Sequence, residues 1–148
     1  MFMFKEILLP VDLQQTELTE RAVAIAKECA KTHGTHITLM TVIPDFGMPL
    51  VANYFPEDAM KQATKEVRAE LKRFIEKRCD DPAAIKSVVK VGSPHKAALD
   101  YAGKHGVDLI IVPARAKNVR KVFLGSSSTA IVEHAPCSVI MVRPDGSK

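Results

Sequence analysis

The segment Phe4–Val11, which reads FKEILLPV, closes with four apolar residues and a proline and predicts a buried β-strand. Four later segments share this apolar and β-branched character: His36–Ile43, Ile85–Val91, Val107–Val112 and Ser138–Val142. Strands that are continuously apolar are buried on both faces, as a parallel sheet covered by helices requires. These five segments therefore predict a parallel sheet as the centre of the fold.

Helical periodicity separates the predicted strands. Apolar residues recur at steps of three and four from Leu18 to about Lys31, with Thr16 as the predicted N-cap and Gly34 as the predicted stop. Further helices are predicted at Glu57–Arg78, from the Ser93-Pro94 pair onward, and at Ser127–His134. Pro44–Pro56 holds three prolines and a glycine and is predicted to be a loop.

The resulting order, β-α-β-α-β-α-β-α-β, predicts an open, doubly wound, Rossmann-like α/β fold. The chain has 148 residues and no break rich in Pro, Gly or Ser, so we expect one domain over residues 1–148. No apolar run approaches 18 residues and the start does not read as a signal peptide, so neither a membrane span nor export is predicted.

Composition narrows the classes of partner and compartment. The net charge of +4 is a mild excess that does not by itself predict nucleic-acid binding. Three cysteines, Cys29, Cys79 and Cys137, are odd in number and far apart, which indicates buried thiols in a reducing compartment. We therefore expect a cytoplasmic protein.

A ligand of such a sheet is expected at the carboxyl ends of the strands, where the strand order reverses. The best chemical signal there is Gly125–Thr129, reading GSSST, because glycine permits close approach and a helix start attracts anions. Residues 109–132 contain no Asp or Glu but do contain Arg115, Lys117, Arg120 and Lys121. A phosphate site fits this pattern, and so does a capped helix beside a solvated basic loop.

Asp12 follows the first strand, where its carboxylate could accept hydrogen bonds from a ribose or an adenine amine, or could cap the next helix. His33 and His36 lack a third ligand nearby, so no metal site is predicted. The sequence also lacks a P-loop, a G-x-G-x-x-G fingerprint and a G-x-S-x-G elbow. It therefore offers no evident catalytic nucleophile and base.

Six short segments, in this order and spacing, resemble the universal stress protein family over roughly residues 4–143. They are ILLPVD (7–12), LMTVI (39–43), VGSP (91–94), VDLIIV (107–112), LGS (124–126) and APCSVIMVR (135–143). The resemblance implies a five-stranded parallel sheet in the order 3-2-1-4-5. It also implies a homodimer that pairs through the last strand, residues 138–142.

The family resemblance further implies two subtypes, of which one binds ATP through Gly-x-x-Gly, nine residues and then Gly-Ser/Thr. In this chain Val112 and Arg115 stand at the two glycine positions, whereas Gly125 and Ser126 match. Valine adds bulk where the ribose should approach, and arginine does not easily adopt a positive φ. The Arg115 guanidinium could, however, replace lost backbone contacts with a charge-assisted bond to phosphate.

The sequence thus predicts a stress-response or regulatory protein that binds ATP or AMP, with Mg²⁺ as a possible companion of the nucleotide, and that is not a fast enzyme. By the resemblance, Asp12 and Val42 correspond to residues that hold ribose or adenine. The predicted nucleotide-binding residues are Pro10, Val11, Asp12, Val42, Val112, Arg115, Gly125, Ser126, Ser127 and Ser128. The alternative is a nucleotide-free, dimeric interaction module whose ATP site has decayed.

Overall fold

Five parallel strands form the central sheet of the computed structural model, which describes residues 4–13, 16–30, 35–44, 57–79, 81–118, 121–123 and 126–143. The strands in these residues are β1 Glu6–Pro10, β2 His36–Ile43, β3 Ile85–Val91, β4 Leu109–Pro113, β5 Arg115–Asn118, β6 Lys121–Phe123 and β7 Ser138–Val142. The sheet order is β3-β2-β1-β4-β7. The predicted order 3-2-1-4-5 is confirmed, with β7 as the fifth strand of the sheet.

The middle of the sheet is buried on both faces, as its continuous apolar sequence predicts. Leu8 and Leu9 are successive residues of β1, point to opposite faces and are both fully buried. In the ladder, Leu9 lies beside Leu39 of β2, and Leu8 lies beside Ile110 of β4. Apolar side chains therefore continue across the strands in both directions.

Helices cover the two faces separately. They are α1 Thr16–Cys29, α2 Glu57–Arg78, α3 Pro94–Lys104 and α4 Ser126–His134. One core cluster joins Ala22 of α1 and Leu71 of α2 to Leu9, and a second joins Ala98 of α3 and Ile131 of α4 to Leu8. This division gives the doubly wound arrangement. Within the described residues, no helix is long and apolar enough to cross a membrane.

Several predicted element ends need correction. Helix α1 begins at Thr16 itself, so this residue is helical rather than the N-cap, and the helix ends at Cys29 rather than Lys31. Ser93 does occupy the N-cap position of α3, but its hydroxyl makes no capping bond and lies 3.2 Å from Nδ1 of His95. Because helix ends depend on a few local hydrogen bonds, periodicity places them only to within one or two residues. Gly34 lies outside the described residues.

The chain between β4 and α4 contains a short hairpin that the sequence analysis did not predict. Strands β5 and β6 pair antiparallel, with Arg115 beside Phe123 and an irregularity between Ala116 and Asn118. The part of the predicted basic loop that carries Arg115 and Lys117 is therefore extended backbone rather than irregular. The predicted loop at Pro44–Pro56 lies, beyond Pro44, outside the described residues.

Candidate functional site

A cleft of about 550 Å³ opens at the carboxyl edge of the sheet, where the order reverses between β1 and β4. Its volume falls in the range of about 300–1,000 Å³ that small-molecule sites occupy. Seven of the predicted nucleotide-binding residues line it: Pro10, Val11, Asp12, Val42, Val112, Ser127 and Ser128. The fold thus brings together residues that lie up to 118 positions apart (10 to 128) in the chain.

Two threonines hold the turn between β1 and α1 at the rim of this cleft. The buried hydroxyl of Thr41 on β2 donates to the carbonyl oxygen of Val11 at 3.1 Å. The hydroxyl of Thr19, which is 1% exposed, lies 3.3 Å from the carbonyl oxygen of Asp12 and donates to it. The Val11 amide also donates to the Met40 carbonyl at 2.8 Å. These bonds fix the backbone that presents the exposed side chain of Asp12.

The opposite wall contains two serines of the first turn of α4. Ser127 is half-buried and Ser128 is 7% exposed, and both line the cleft. Backbone N–H groups at a helix start have no intrahelical acceptor and favour an anion. This wall can therefore donate hydrogen bonds to a negatively charged group.

The end of β4 forms the floor between these walls. Val112 is 3% exposed, lines the cleft and packs in the cluster of Leu8 and Ile131. Just beyond it, the Ala114 amide donates to the Val142 carbonyl at 2.7 Å, which ties the exit of β4 to β7. The valine side chain, which the sequence predicts to add bulk where the ribose should approach, therefore does line the cleft.

The remaining predicted residues are placed only in part. Arg115 begins β5, two residues after β4 ends, and Ser126 is the first residue of α4. The side chains of both, and Gly125 as a whole, lie outside the described residues. Along the chain, the hairpin of β5 and β6 lies between β4, which carries the floor, and α4, which carries the serine wall.

Helix α2 contributes residues that the sequence analysis missed. Val67 and Glu70, three positions apart on one helical face, line the cleft beside Ile43 and Pro44. Within the described lining, the acidic side chains are Asp12 and Glu70. The amphipathic pattern of α2 predicted its buried stripe, but nothing local to the sequence indicates that its edge reaches the end of β2.

Other candidate groups lie elsewhere. Nδ1 of His36 lies 2.7 Å from the Glu6 carboxylate, at the amino edge of the sheet. No group of three potential metal ligands occurs among the described residues. Burial raises the pKa of the Cys137 thiol, the nearby Asp108 carboxylate raises it further, and a hydrogen bond with the Ile110 backbone acts in the opposite direction.

Comparisons with known sequences agree with the architecture. The model of the "Universal stress protein family" matches residues 3–143. A universal stress protein of Thermus aquaticus, from the 3′ region of a QAH/OAS sulfhydrylase gene, is 34% identical over 149 residues. The match covers 95% of this chain and 100% of that protein.

Solved structures give the same result at lower identity. The universal stress protein UspA from Lactobacillus plantarum is 26% identical, with a TM-score of 0.68 over 94% of this chain and 97% of that one. A universal stress protein from Archaeoglobus fulgidus, solved in complex with dAMP, is 19% identical and has a TM-score of 0.64. That match covers 96% of this chain and 99% of the other, and at this identity it reports on the fold.

Proposed function

This chain belongs to the universal stress protein family, and we propose that it binds an adenine nucleotide, ATP or AMP, as a stress-response or regulatory protein. One observation carries the proposal. Asp12 on one wall and the two serines of α4, Ser127 and Ser128, on the other converge on a cleft at the point of strand reversal.

The chemistry of the two walls sets the orientation of the nucleotide. The carboxylate of Asp12 accepts hydrogen bonds from the ribose hydroxyls, and the base lies near Val42. The phosphates lie at Gly125–Ser128, where helix amides and the Ser128 hydroxyl donate to them. Mg²⁺ would accompany ATP through its phosphate oxygens.

A relative of the same fold supports an adenine nucleotide as the ligand. The Archaeoglobus fulgidus protein was solved with dAMP. Because it is 19% identical to this chain, the likeness concerns the fold. The case for this chain therefore depends on its own Asp12, Ser127 and Ser128.

One observation favours the second candidate, a nucleotide-free interaction module. Val112 is a buried side chain at a position where the resemblance implies glycine. A valine there narrows the approach of a ribose to the end of β4. In the first candidate, a charge-assisted bond from Arg115 to the phosphates offsets the weaker contact with the ribose.

We propose that the nucleotide regulates and is not turned over rapidly. The chain has no P-loop lysine to stabilise a transferring phosphate. Asp12 lies in the turn after β1, and Glu70 lines the cleft near the end of β2, whereas the phosphates are assigned to α4. Neither carboxylate is therefore assigned a place beside the phosphates. ATP hydrolysis at about 1 per second that falls in a Ser126→Ala variant would contradict the proposal of slow turnover.

We also propose a cytoplasmic homodimer that pairs through β7. This strand lies at the edge of the sheet, with Val139, Ile140 and Met141 only partly buried. Two copies related by a two-fold axis can pair such an edge with itself. Cys29, Cys79 and Cys137 are free thiols; Cys79 is buried as predicted, whereas Cys29 and Cys137 are only half-buried.

Mass spectrometry of protein purified without added nucleotide tests the choice between the two candidates. The first predicts ATP or AMP released on mild denaturation, in an amount that falls in a Ser128→Ala variant. The matched control is Ser87→Ala, a serine on β3 outside the cleft lining. Protein that carries no adenine nucleotide and gains no thermal stability from millimolar ATP would favour the interaction module.

A further inference from the structure

A second cleft, of about 640 Å³, lies between the carboxyl end of β3 and the outer face of α3. None of its lining residues lines the first cleft. Its volume also falls in the range of about 300–1,000 Å³ of small-molecule sites. The family resemblance implies no ligand in this second cleft, and the proposed nucleotide lies in the first.

Positive charge dominates this second cleft. Lys90 of β3 and Lys96 and Lys104 of α3 line it, against one acidic residue, Asp100. Asp100 forms an ion pair with Lys104 at 3.2 Å, one helical turn away. Lys90 and Lys96 have no ion pair within the described residues, so two cations remain uncompensated at the same concave surface.

Apolar surface lies beside these two cations. Val91 is 43% exposed and is one of two large hydrophobic residues so exposed in the described part of the chain. The ring of His105, the exposed residue that follows α3, stacks on the ring of Tyr101, which is only 7% exposed, with centroids 4.0 Å apart and planes 25° apart. Because Tyr101 is buried, the surfaces that a planar ligand can cover here are the exposed imidazole of His105 and the side chain of Val91.

We propose that this cleft binds a small organic anion with a planar apolar body, of which an aromatic carboxylate is the simplest example. Lys90 and Lys96 would contact the anionic group, and Val91 with the exposed imidazole of His105 would contact the ring. The volume is of the size that a small molecule fills. The proposal does not depend on nucleotide binding in the first cleft.

Titration of ¹⁵N-labelled full-length chain with 2-naphthoate, followed by amide chemical shifts, tests the proposal. Saturable shifts are expected at residues 90–105. The uncharged isostere 2-naphthamide should bind at least about five-fold more weakly, the effect of about 1 kcal/mol of charge interaction. Shifts that do not saturate by 10 mM, that cluster at the first cleft, or that are equal for both compounds would overturn the proposal.

Variants that remove lysine charges inside and outside the cleft test the assignment of the anion to Lys90 and Lys96. The double variant Lys90→Gln/Lys96→Gln should weaken 2-naphthoate at least five-fold and leave 2-naphthamide unchanged. The control is Lys86→Gln, an exposed lysine on the same face of β3, four residues and about 13 Å away and outside the cleft lining. Equal affinity in the double variant and the control would show that Lys90 and Lys96 bind no anion, which contradicts the proposal.

Discussion

The hydroxyl of Thr41 donates a 3.1 Å hydrogen bond to the carbonyl oxygen of Val11, which joins the end of β1 to its neighbour β2 at the rim of the first cleft. Both residues are buried. The bond lies one residue before Asp12, the acidic group assigned to the ribose. A core hydrogen bond thus fixes the backbone next to the side chain that is proposed to bind the ribose.

Replacing Thr41 with valine tests this relationship. The side chains are similar in shape, but valine leaves the Val11 carbonyl without its hydroxyl donor, so we expect a loss of about 1–2 kcal/mol in the free energy of unfolding. Urea denaturation should show a lower midpoint at an unchanged slope. ATP affinity should fall as well, and Thr41→Ser, which keeps the hydroxyl, should recover most of it. Wild-type stability in the valine variant would contradict this role.

Asp108 has a structural role at the amino ends of the strands, opposite the cleft. Its carboxylate accepts hydrogen bonds from the amides of Lys5 at 2.8 Å and Glu6 at 3.0 Å, which anchors the start of β1 beside β4. Asp108→Ala should lower the free energy of unfolding by about 1–3 kcal/mol, because two charge-assisted bonds are lost. Denaturation with Asp100→Ala as the exposed control checks this, and equal effects of the two substitutions would contradict it.

The folded Asp108→Ala variant should retain ATP affinity, since Asp108 precedes β4 whereas the cleft lies at the carboxyl end of that strand. A large loss of ATP affinity in a well-folded Asp108→Ala variant would contradict this expectation, because it would show that the amino and carboxyl ends of the strands are coupled.

Arg115 is expected to act on phosphate. Arg115→Ala should weaken ATP more than adenosine, because adenosine has no phosphate for a guanidinium to bind. Calorimetric titrations of both ligands measure the difference, with exposed Arg21→Ala as the control. Equal losses for ATP and adenosine would indicate an effect on hairpin shape, and no loss would place Arg115 on a solvated surface.

Strand β7 is expected to mediate dimerisation. Wild-type protein at micromolar concentration should sediment at twice the 16.2 kDa chain mass, and Ile140→Lys should shift it to the monomer, because a buried charge at the strand pair is costly. Val91→Lys places the same charge on the opposite edge strand and should leave the dimer intact. A wild-type monomer would contradict strand pairing through β7.

The fold could be predicted because its signal is continuous apolar sequence. Segments such as Phe4–Val11 and Val107–Val112 are apolar enough to identify buried strands, and helical stripes between them imply the parallel order. The hairpin of β5 and β6 escaped prediction because Arg115–Phe123 mixes basic and apolar residues in strands of three or four residues, too short for a period to stand out.

The site was predictable where it follows strand ends and was missed where tertiary packing supplies it. Asp12 and Ser127 each lie at a junction that the topology brings to one edge. Thr19, Thr41 and Glu70 lie inside helices or strands, and their place at the cleft depends on how α1, β2 and α2 pack. For Thr41 the sequence does hold a local signal: a threonine within an apolar strand has a hydroxyl that is buried with the strand and needs a hydrogen-bond partner.

Calorimetric titration of the purified chain with ATP and Mg²⁺ tests the central claim most directly. We expect one nucleotide per chain, weaker binding in a Ser128→Ala variant, and a stability gain of about 2.7 kcal/mol at 100 times the dissociation constant. Ser87→Ala, outside the cleft, should bind as the wild type does. Absence of heat and of any thermal shift at millimolar ATP, in protein shown to be folded and nucleotide-free, would contradict the assignment of this cleft to an adenine nucleotide.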